Sequence, residues 1–298
     1  MSRSIVAISA TVLLGGTLPA QAATVRDGAG LTVTVKAPAT RVASLMGSAI
    51  DIIVALGAAD RVAARTRYDT ASAVAKAINV GGGVDPSIET LLSARPDLFV
   101  AWNGQRNAPV VNRMRAAGVP VYLVETKDTT GLFATVRDLG ALLGMAPRAA
   151  AASAALRAEL RAVQQVRPKG PRPKAVYVIS QSPVIISASK SYMAELIGVA
   201  GADNPFADVQ GEFPTLSLEA FLARDPDVII TGRREGGASP LARMRETPGW
   251  RDLRAVKNGA VIEVDGMAWG RPNLHVGGLV RDLATALQRI PTSAIRPR

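Results

Sequence analysis

Two carboxylates at matching positions, Glu89 and Glu219, are the residues whose type and spacing point to a defined chemistry. Each follows a serine by two residues, in segments 87–101 and 217–231 that align without gaps. A carboxylate in the first turn of a helix gains up to about 1 kcal/mol from the helix dipole, which could explain both residues. Alternatively, two related lobes present one carboxylate each on a common rim, as anchors for arginines of a partner. The spacing alone leaves both interpretations open.

Aromatic side chains make up only 4% of the residues, so their positions are informative. Tyr68 and Trp102 follow apolar segments typical of strands, Phe213 precedes the second repeated helix, and Trp269 follows the last predicted strand together with Arg271. Ligand-facing loops of α/β proteins follow the strands. These five residues therefore predict a site for a flat or bulky apolar ligand. For any one aromatic residue, the alternative is that it anchors its loop in the core.

The chain has no cysteine and a single histidine, His275, which limits the possible chemistry. Thiolate and multi-histidine metal sites are excluded, and a Ser-His-Asp triad would have to use His275. The sequence contains neither a phosphate-binding P-loop nor a nucleophile elbow. We therefore predict a binding protein without catalytic residues, cofactor or metal site of its own. An exported hydrolase that uses His275 as its base is the alternative from another class.

The formal net charge is +11, from 35 Lys+Arg against 24 Asp+Glu. The basic residues are spread along the chain, without long runs or interleaved aromatic residues, so we predict no nucleic-acid partner. The charge could attract an anionic ligand or serve solubility, and both interpretations stay open.

Residues 1–22 have the pattern of a secretory signal peptide. Arg3 is followed by an apolar run and by the small-residue cleavage site Ala20-Gln21-Ala22. No other stretch is apolar and long enough to span a bilayer. We therefore expect an exported protein in the periplasm, and because no cysteine could carry a lipid, we expect it not to be lipid-anchored.

The aligned segments also predict the architecture. Each reads as a helix, a Pro-Asp break and a buried apolar strand, and each lies between further strands and helices. This alternation predicts an α/β fold of two Rossmann-like lobes with parallel sheets and a ligand cleft between them. Residues 23–128 form the first predicted lobe and residues 173–298 the second. The Ala- and Leu-rich segment 129–172 predicts one long connecting helix, in which Gly144 to Pro147 could introduce a kink.

Five segments together resemble one family: RVASL at 41–45, LGAADRV at 56–62, VGGGVDPSIE at 80–89, RPDLFVA at 95–101 and DPDVII at 225–230. The family comprises the periplasmic substrate-binding proteins of ABC importers for cobalamin, heme and iron-siderophores. The resemblance implies a monomer that partners an ABC permease dimer and, through it, a cytoplasmic ATPase. It also implies that Glu89 and Glu219 dock onto arginines of that permease.

The cobalamin-binding members are the most similar. Ala-Trp-x-Gly around Trp102, the aromatic Phe213 and the loop 267–272 match their pattern. Cobalamin binders often carry an aromatic residue, and heme binders a tyrosine iron ligand, near the place where this chain has Gly82 and Gly83. Tyr68 could substitute from a neighbouring loop. Siderophore binders use arginines, for which the candidates are Arg65, Arg67, Arg106 and Arg233. The resemblance thus implies a corrinoid or related metal chelate, with heme or a ferric siderophore as alternatives.

Overall fold

A computed structural model describes residues 22–166, 170–233, 239–291 and 295. The predicted signal peptide, apart from its last residue, lies outside the described residues. Within the described part of the chain, no helix has the length and apolar character needed to cross a membrane.

A five-stranded parallel sheet forms the centre of the first lobe. A hairpin of β1 (Ala23–Arg26) and β2 (Thr32–Val35) precedes it. The sheet strands are β3 (Val42–Ser44), β4 (Val62–Arg65), β5 (Ile78–Asn79), β6 (Leu98–Trp102) and β7 (Val121–Val124), and the helices are α1 (Gly47–Ala55), α2 (Ile88–Ser93) and α3 (Ala108–Ala116). The spatial order is β5-β4-β3-β6-β7. All neighbours are parallel, as predicted, because each strand returns to the sheet by a crossover.

Two helices, rather than one, follow the first lobe: α4 (Thr129–Leu142) and α5 (Ala146–Gln165). Gly144 ends α4 with a φ of +67°, a left-handed conformation that an α-helix cannot continue through. The predicted connection over 129–172 is therefore interrupted there, and α5, with 20 residues, is its long helix.

The second lobe has a five-stranded sheet of mixed direction. Its strands are β8 (Ala175–Gln181), β9 (Val184–Ile186), β10 (Thr215–Leu216), β11 (Val228–Arg233) and β12 (Val261–Asp265), and its helices are α6 (Tyr192–Ala200), α7 (Leu218–Arg224), α8 (Pro240–Glu246), α9 (Arg254–Lys257), α10 (Gly266–Trp269) and α11 (Val276–Gln288). The order is β10-β9-β8-β11-β12, in which β8, β11 and β12 are parallel. The expectation of parallel strands fails for β9 and β10. Only Ser182 and Pro183 connect β8 to β9, and so short a connection joins antiparallel strands.

The sequence repeat corresponds to a repeated local structure. Ser87 begins α2 and Ser217 begins α7, and each hydroxyl accepts a hydrogen bond from the backbone N–H three residues later. At the same offset from each capping serine, Arg95 and Asp225 adopt positive φ angles of 45° and 37°. The aligned segments therefore share their helix start and the turn that leads into the strand.

The aspartate of each Pro-Asp break forms a hydrogen bond to the backbone just before a central strand of the same lobe. The Asp97 carboxylate accepts a hydrogen bond of 2.9 Å from the Arg41 N–H, and the Asp227 carboxylate accepts one of 2.9 Å from the Lys174 N–H. Both amides precede a central strand, β3 or β8. The Pro-Asp pair thus has a positional role that explains its recurrence.

One apolar core runs through both lobes. Helix α5 packs against α4 on one side and against α6 and α11 on the other. The continuous cluster includes Val42 and Leu98 in the first lobe, Leu139 and Leu156 on the connecting helices, and Val280 in the second lobe. Because packed cores resist deformation, this continuity favours small changes in lobe separation.

Candidate functional site

Three of the predicted aromatic residues are exposed on the loops of the two lobes. Tyr68, in the loop after β4, is 54% exposed; Trp102, at the end of β6, is 47% exposed; and Phe213, before β10, is 46% exposed. Large apolar side chains with this exposure are typical of ligand or partner surfaces when they occur together. Tyr68 and Trp102 lie at the carboxyl ends of parallel strands, as α/β ligand sites require.

Trp269 is not exposed, contrary to the expectation that it faces the ligand. Its side chain is 2% exposed, and its ring stacks on Tyr177 with 6.3 Å between the centroids. The Asp265 carboxylate caps α10 by accepting hydrogen bonds from two backbone amides of its first turn, so the chain forms a short helix that turns the indole inward. Burial raises the pKa of Tyr177 to about 12. The structure therefore places Trp269 in the core.

Met267 is the side chain of this loop that faces solvent. It is 58% exposed and lies two residues after the end of β12. Trp269 is the residue predicted from sequence to face the ligand, because it is aromatic, whereas Met267 was not predicted. The signal available in the sequence was position: Met267 lies two residues after the capping Asp265, within the first turn of α10, whereas Trp269 ends the helix. A methionine is also well suited to a binding surface because its thioether is flexible and polarisable.

Gly104 and Asn107 fix the position of Trp102. A Cβ atom built on Gly104 would stand 2.6 Å from Trp102 Cε3, so the indole lies across the glycine backbone. The Asn107 side-chain amide donates a hydrogen bond of 3.2 Å to the Trp102 carbonyl. A ring that is already oriented loses less conformational entropy when it binds a ligand.

Polar groups on the Trp102 side of the first lobe attract a carboxylate of the second lobe. The Asn103 amide donates to Glu125 Oε2 at 3.1 Å, and Lys127 pairs with the other oxygen of Glu125. The hydrogen bond from Lys127 holds the pKa of Glu125 below its ordinary value. Lys127 also attracts Glu212, which directly precedes Phe213. Burial raises the pKa of Glu212. The attraction to Lys127 places Glu212, the neighbour of Phe213 in the chain, near the polar groups that follow Trp102.

A second connection between the lobes contains Arg271. Its Nη1 lies 3.2 Å from Asp69 Oδ1 and 3.8 Å from Asp51 Oδ1, and its Nη2 donates to the Tyr68 carbonyl at 3.0 Å. The Asn273 amide donates to Asp51 Oδ2 at 3.0 Å. We refer to Asp51, Asp69, Arg271 and Asn273 as the interlobe cluster. Arg271, predicted to contact ligand, is thus largely buried between the lobes and engaged with protein groups.

The space beside Gly82 is taken by an ion pair. Arg67 Nη2 lies 3.2 Å from Asp85 Oδ2, and a Cβ atom on Gly82 would stand 2.9 Å from both Arg67 Nη2 and Asp85 Cγ. A larger residue at this position would have to displace the pair.

Most of the arginines considered for an anionic chelate are engaged. Arg65 donates to two backbone carbonyls, Arg67 pairs with Asp85, and Arg233 lies 3.5 Å from Glu263. Arg106 is exposed. The first lobe's loops thus present aromatic rings rather than a cluster of unpaired cations.

Glu89 and Glu219 are exposed in the first turns of α2 and α7. Neither carboxylate pairs with a cation among the described residues. Hydrogen bonds from its own backbone N–H and from Ser217 lower the pKa of Glu219. Both side chains are thus accessible in the first turn of a serine-capped helix.

His275 is exposed at the start of α11, and its imidazole makes no hydrogen bond to any described residue. No group of three or more His, Cys, Asp and Glu side chains in the described ranges is placed to hold a metal ion.

Known proteins match this chain over most of its length. A cobalamin-binding protein of Halobacterium salinarum is 28% identical over 251 residues, covering 80% of this chain and 67% of its own. An uncharacterised ABC transporter substrate-binding lipoprotein of Bacillus subtilis is 26% identical over 249 residues, covering 81% and 78%. The fold matches a periplasmic heme-binding protein from Roseiflexus sp. RS-1 with a TM-score of 0.73 and 24% identity, over 83% of this chain and 97% of that one.

Other matched proteins are named for vitamin B12, heme and Fe3+-hydroxamate. The relatives are binding and transport receptors rather than enzymes, so the exported hydrolase with His275 as its base has no support. Substrate-binding proteins of this kind work outside the cytoplasm. The sequence profile of the periplasmic binding proteins matches residues 42–268, and the chain belongs to that family.

Proposed function

We propose that this protein is the periplasmic receptor of an ABC import system and that it captures cobalamin or a related metal chelate between its lobes. The observation that carries the proposal is the exposure of Tyr68, Trp102 and Phe213 on loops of the two lobes. Met267, which is also exposed, lies in the loop that leads to Arg271 of the interlobe cluster. Apolar rings and a thioether suit a large, flat and mostly uncharged ligand face.

A corrinoid is favoured over an anionic siderophore because three of the four arginines expected to bind such a chelate are already engaged. Arg65 is held by carbonyls, Arg67 by Asp85 and Arg233 by Glu263. Heme is the alternative that retains a possible iron ligand, the exposed Tyr68.

We further propose that Glu89 and Glu219 dock onto basic residues of the permease dimer, which delivers the ligand with the energy of its cytoplasmic ATPase. Two exposed carboxylates on equivalent helices of two lobes match the symmetry of a dimeric partner. The receptor is exported by the signal peptide over residues 1–22 and acts as a monomer.

Equilibrium titration tests the capture claim. Purified protein is titrated with cyanocobalamin, hemin and a ferric hydroxamate, and binding is followed by tryptophan fluorescence and ligand absorbance. We expect cyanocobalamin to bind most tightly, and Trp102→Ala to weaken its binding at least about five-fold, since stacking on an aromatic anchor is worth on the order of 1 kcal/mol or more.

Leu31→Ala is the matched control because Leu31 is equally exposed, at 47%, but lies on the β1–β2 hairpin. It should leave affinity unchanged. Tightest binding of hemin or the hydroxamate would replace the corrinoid assignment, and failure of all three probes would refute capture of a metal chelate.

A further inference from the structure

The interlobe cluster contacts Tyr68, an aromatic residue of the proposed ligand site. Asp51, on α1, and Asp69, after β4, belong to the first lobe, whereas Arg271 and Asn273 lie between α10 and α11 in the second. Arg271 contacts the first lobe through an ion pair and through a hydrogen bond to the backbone of Tyr68.

Asp69 closes the turn that carries Tyr68. Its Oδ2 accepts hydrogen bonds from the Thr66 backbone N–H at 3.1 Å and from the Thr66 hydroxyl at 2.6 Å. The Asp69 N–H donates to the Thr66 carbonyl at 3.2 Å. The turn 66–69 is therefore held from within by one carboxylate oxygen.

The other oxygen of Asp69 depends on the second lobe. Oδ1 is buried and accepts no hydrogen bond within the described part of the chain, and Arg271 Nη1 stands 3.2 Å from it. A buried carboxylate is strongly destabilised when its cation is removed. The charge of Asp69 is thus balanced by an arginine from across the cleft.

Gly47, the first residue of α1, leaves room for this contact. A Cβ atom there would stand 2.6 Å from Arg271 Cζ and 2.8 Å from Asp69 Oδ1. The guanidinium therefore fits closely between α1 and the Tyr68 turn, and a single methyl group would displace it.

We propose that Arg271 is a positioning residue rather than a ligand contact: from the second lobe it fixes the Tyr68 turn, and so links the arrangement of the lobes to the shape of the ligand site. The role of Tyr68 in ligand binding rests on the proposed function. The contact of Arg271 with the Tyr68 turn does not depend on that function, because it joins protein groups only. Separation of the lobes would break this contact and release the turn.

Hydrogen exchange of the ligand-free protein tests the contact directly. In Arg271→Met we expect the amides of residues 66–69 to exchange at least about ten-fold faster, because local opening becomes easier. Arg281→Met is the control, since Arg281 also pairs with a carboxylate, Glu159 at 3.7 Å, but within the helices α11 and α5. Unchanged exchange at 66–69 in Arg271→Met would overturn the proposal.

Two further variants cover the case in which Arg271→Met fails to fold. Arg271→Lys keeps the charge but lacks the forked geometry that serves Asp69 and the Tyr68 carbonyl together. Gly47→Ala removes no polar group, and its methyl group crowds both the Arg271 guanidinium and Asp69 Oδ1 at their contact. Both should accelerate exchange at 66–69 without a change in the far-UV circular dichroism, and native-like exchange in both would overturn the proposal.

A double-mutant cycle with cyanocobalamin separates positioning from direct contact. Arg271→Met should weaken binding by about ten-fold with Tyr68 present and by less than about two-fold in Tyr68→Ala, since coupled residues are not additive. Equal losses in both backgrounds would show that Arg271 acts without Tyr68. If the wild-type protein binds no probe, the proposed function fails, and the exchange measurement still decides the contact.

Discussion

The indole of Trp102 lies across the backbone of Gly104, where a Cβ atom would stand 2.6 Å from Trp102 Cε3. The two residues are therefore one structural unit: the glycine is required because the ring occupies the space that any other side chain would take. The Trp-x-Gly spacing that is visible in the sequence has this contact as its physical cause.

Gly104→Ala should displace the Trp102 ring and weaken ligand binding several-fold, with a shift in tryptophan emission. The free energy of unfolding should fall by only about 1 kcal/mol because the ring can move outward into solvent. Titration and fluorescence spectra check both effects. Gly198→Ala, in α6 with no atom within 4 Å of the new methyl group, is the control. It should leave affinity and emission unchanged, and it should raise the free energy of unfolding by about 0.5–1 kcal/mol because alanine is favoured over glycine inside a helix. An unchanged emission spectrum in Gly104→Ala would contradict the contact.

Trp269→Ala should destabilise the protein, whereas Trp102→Ala should mainly reduce affinity. Trp269 is buried against Tyr177, and deleting a buried aromatic ring costs about 3–5 kcal/mol. Trp102 is half exposed, so its removal leaves no cavity. Urea unfolding measures the first effect and ligand titration the second. A Trp269 variant with full stability and reduced affinity would return this residue to the ligand site.

The double variant Glu89→Gln and Glu219→Gln should abolish uptake by the reconstituted transporter while ligand affinity stays within about two-fold of wild type. The amides keep the shape of the side chains but remove the charges that arginines would meet. Glu246→Gln, an exposed glutamate at the end of α8, is the control. Loss of affinity in the double variant would place these carboxylates in the binding site, and full uptake would refute docking.

The stability of the wild-type protein relative to Asp51→Asn should increase as the pH falls from neutral. Burial raises the pKa of Asp51 above its ordinary 3.8, against the opposing effect of Arg271. The folded state therefore binds this proton at a higher pH than the unfolded state, and protonation favours folding. The gain begins as the pH passes below the raised pKa of Asp51. Urea unfolding of both proteins between pH 7 and about pH 4 measures the difference; a constant difference would contradict the shift.

Glu195→Ala should lower the free energy of unfolding by about 1.5–3 kcal/mol, the usual range for hydrogen bonds to a charged group. The Thr129 N–H and hydroxyl each donate to its carboxylate at 2.6 Å, so a residue of α6 caps α4 from the other lobe. Glu195→Gln keeps one oxygen acceptor and should lose less. Chemical denaturation ranks the three proteins, and equal stability of Glu195→Ala and wild type would show that the cap is dispensable.

The local signals in the sequence predicted the framework well. The serines that cap α2 and α7, the Pro-Asp breaks and the apolar strands act over a few residues, so their consequences were readable without a structure. For this reason the α/β class, the two lobes and the relation to the periplasmic binding proteins are confirmed. Gly144 also indicated an interruption of the connecting helix, since glycine ends helices by adopting a left-handed conformation.

Burial and long-range pairing were decided only by the tertiary structure. Trp269 and Met267 lie two residues apart, and which one faces solvent depends on how the short helix α10 packs against Tyr177. Arg271 meets the Tyr68 carbonyl, 203 residues away along the chain, and no local pattern encodes such a contact. The sequence determined which segments form two lobes and which loops carry aromatic rings. The packing of the lobes against each other decided which of those side chains remain available to a ligand, because exposure is a property of the assembled surface and not of a residue type.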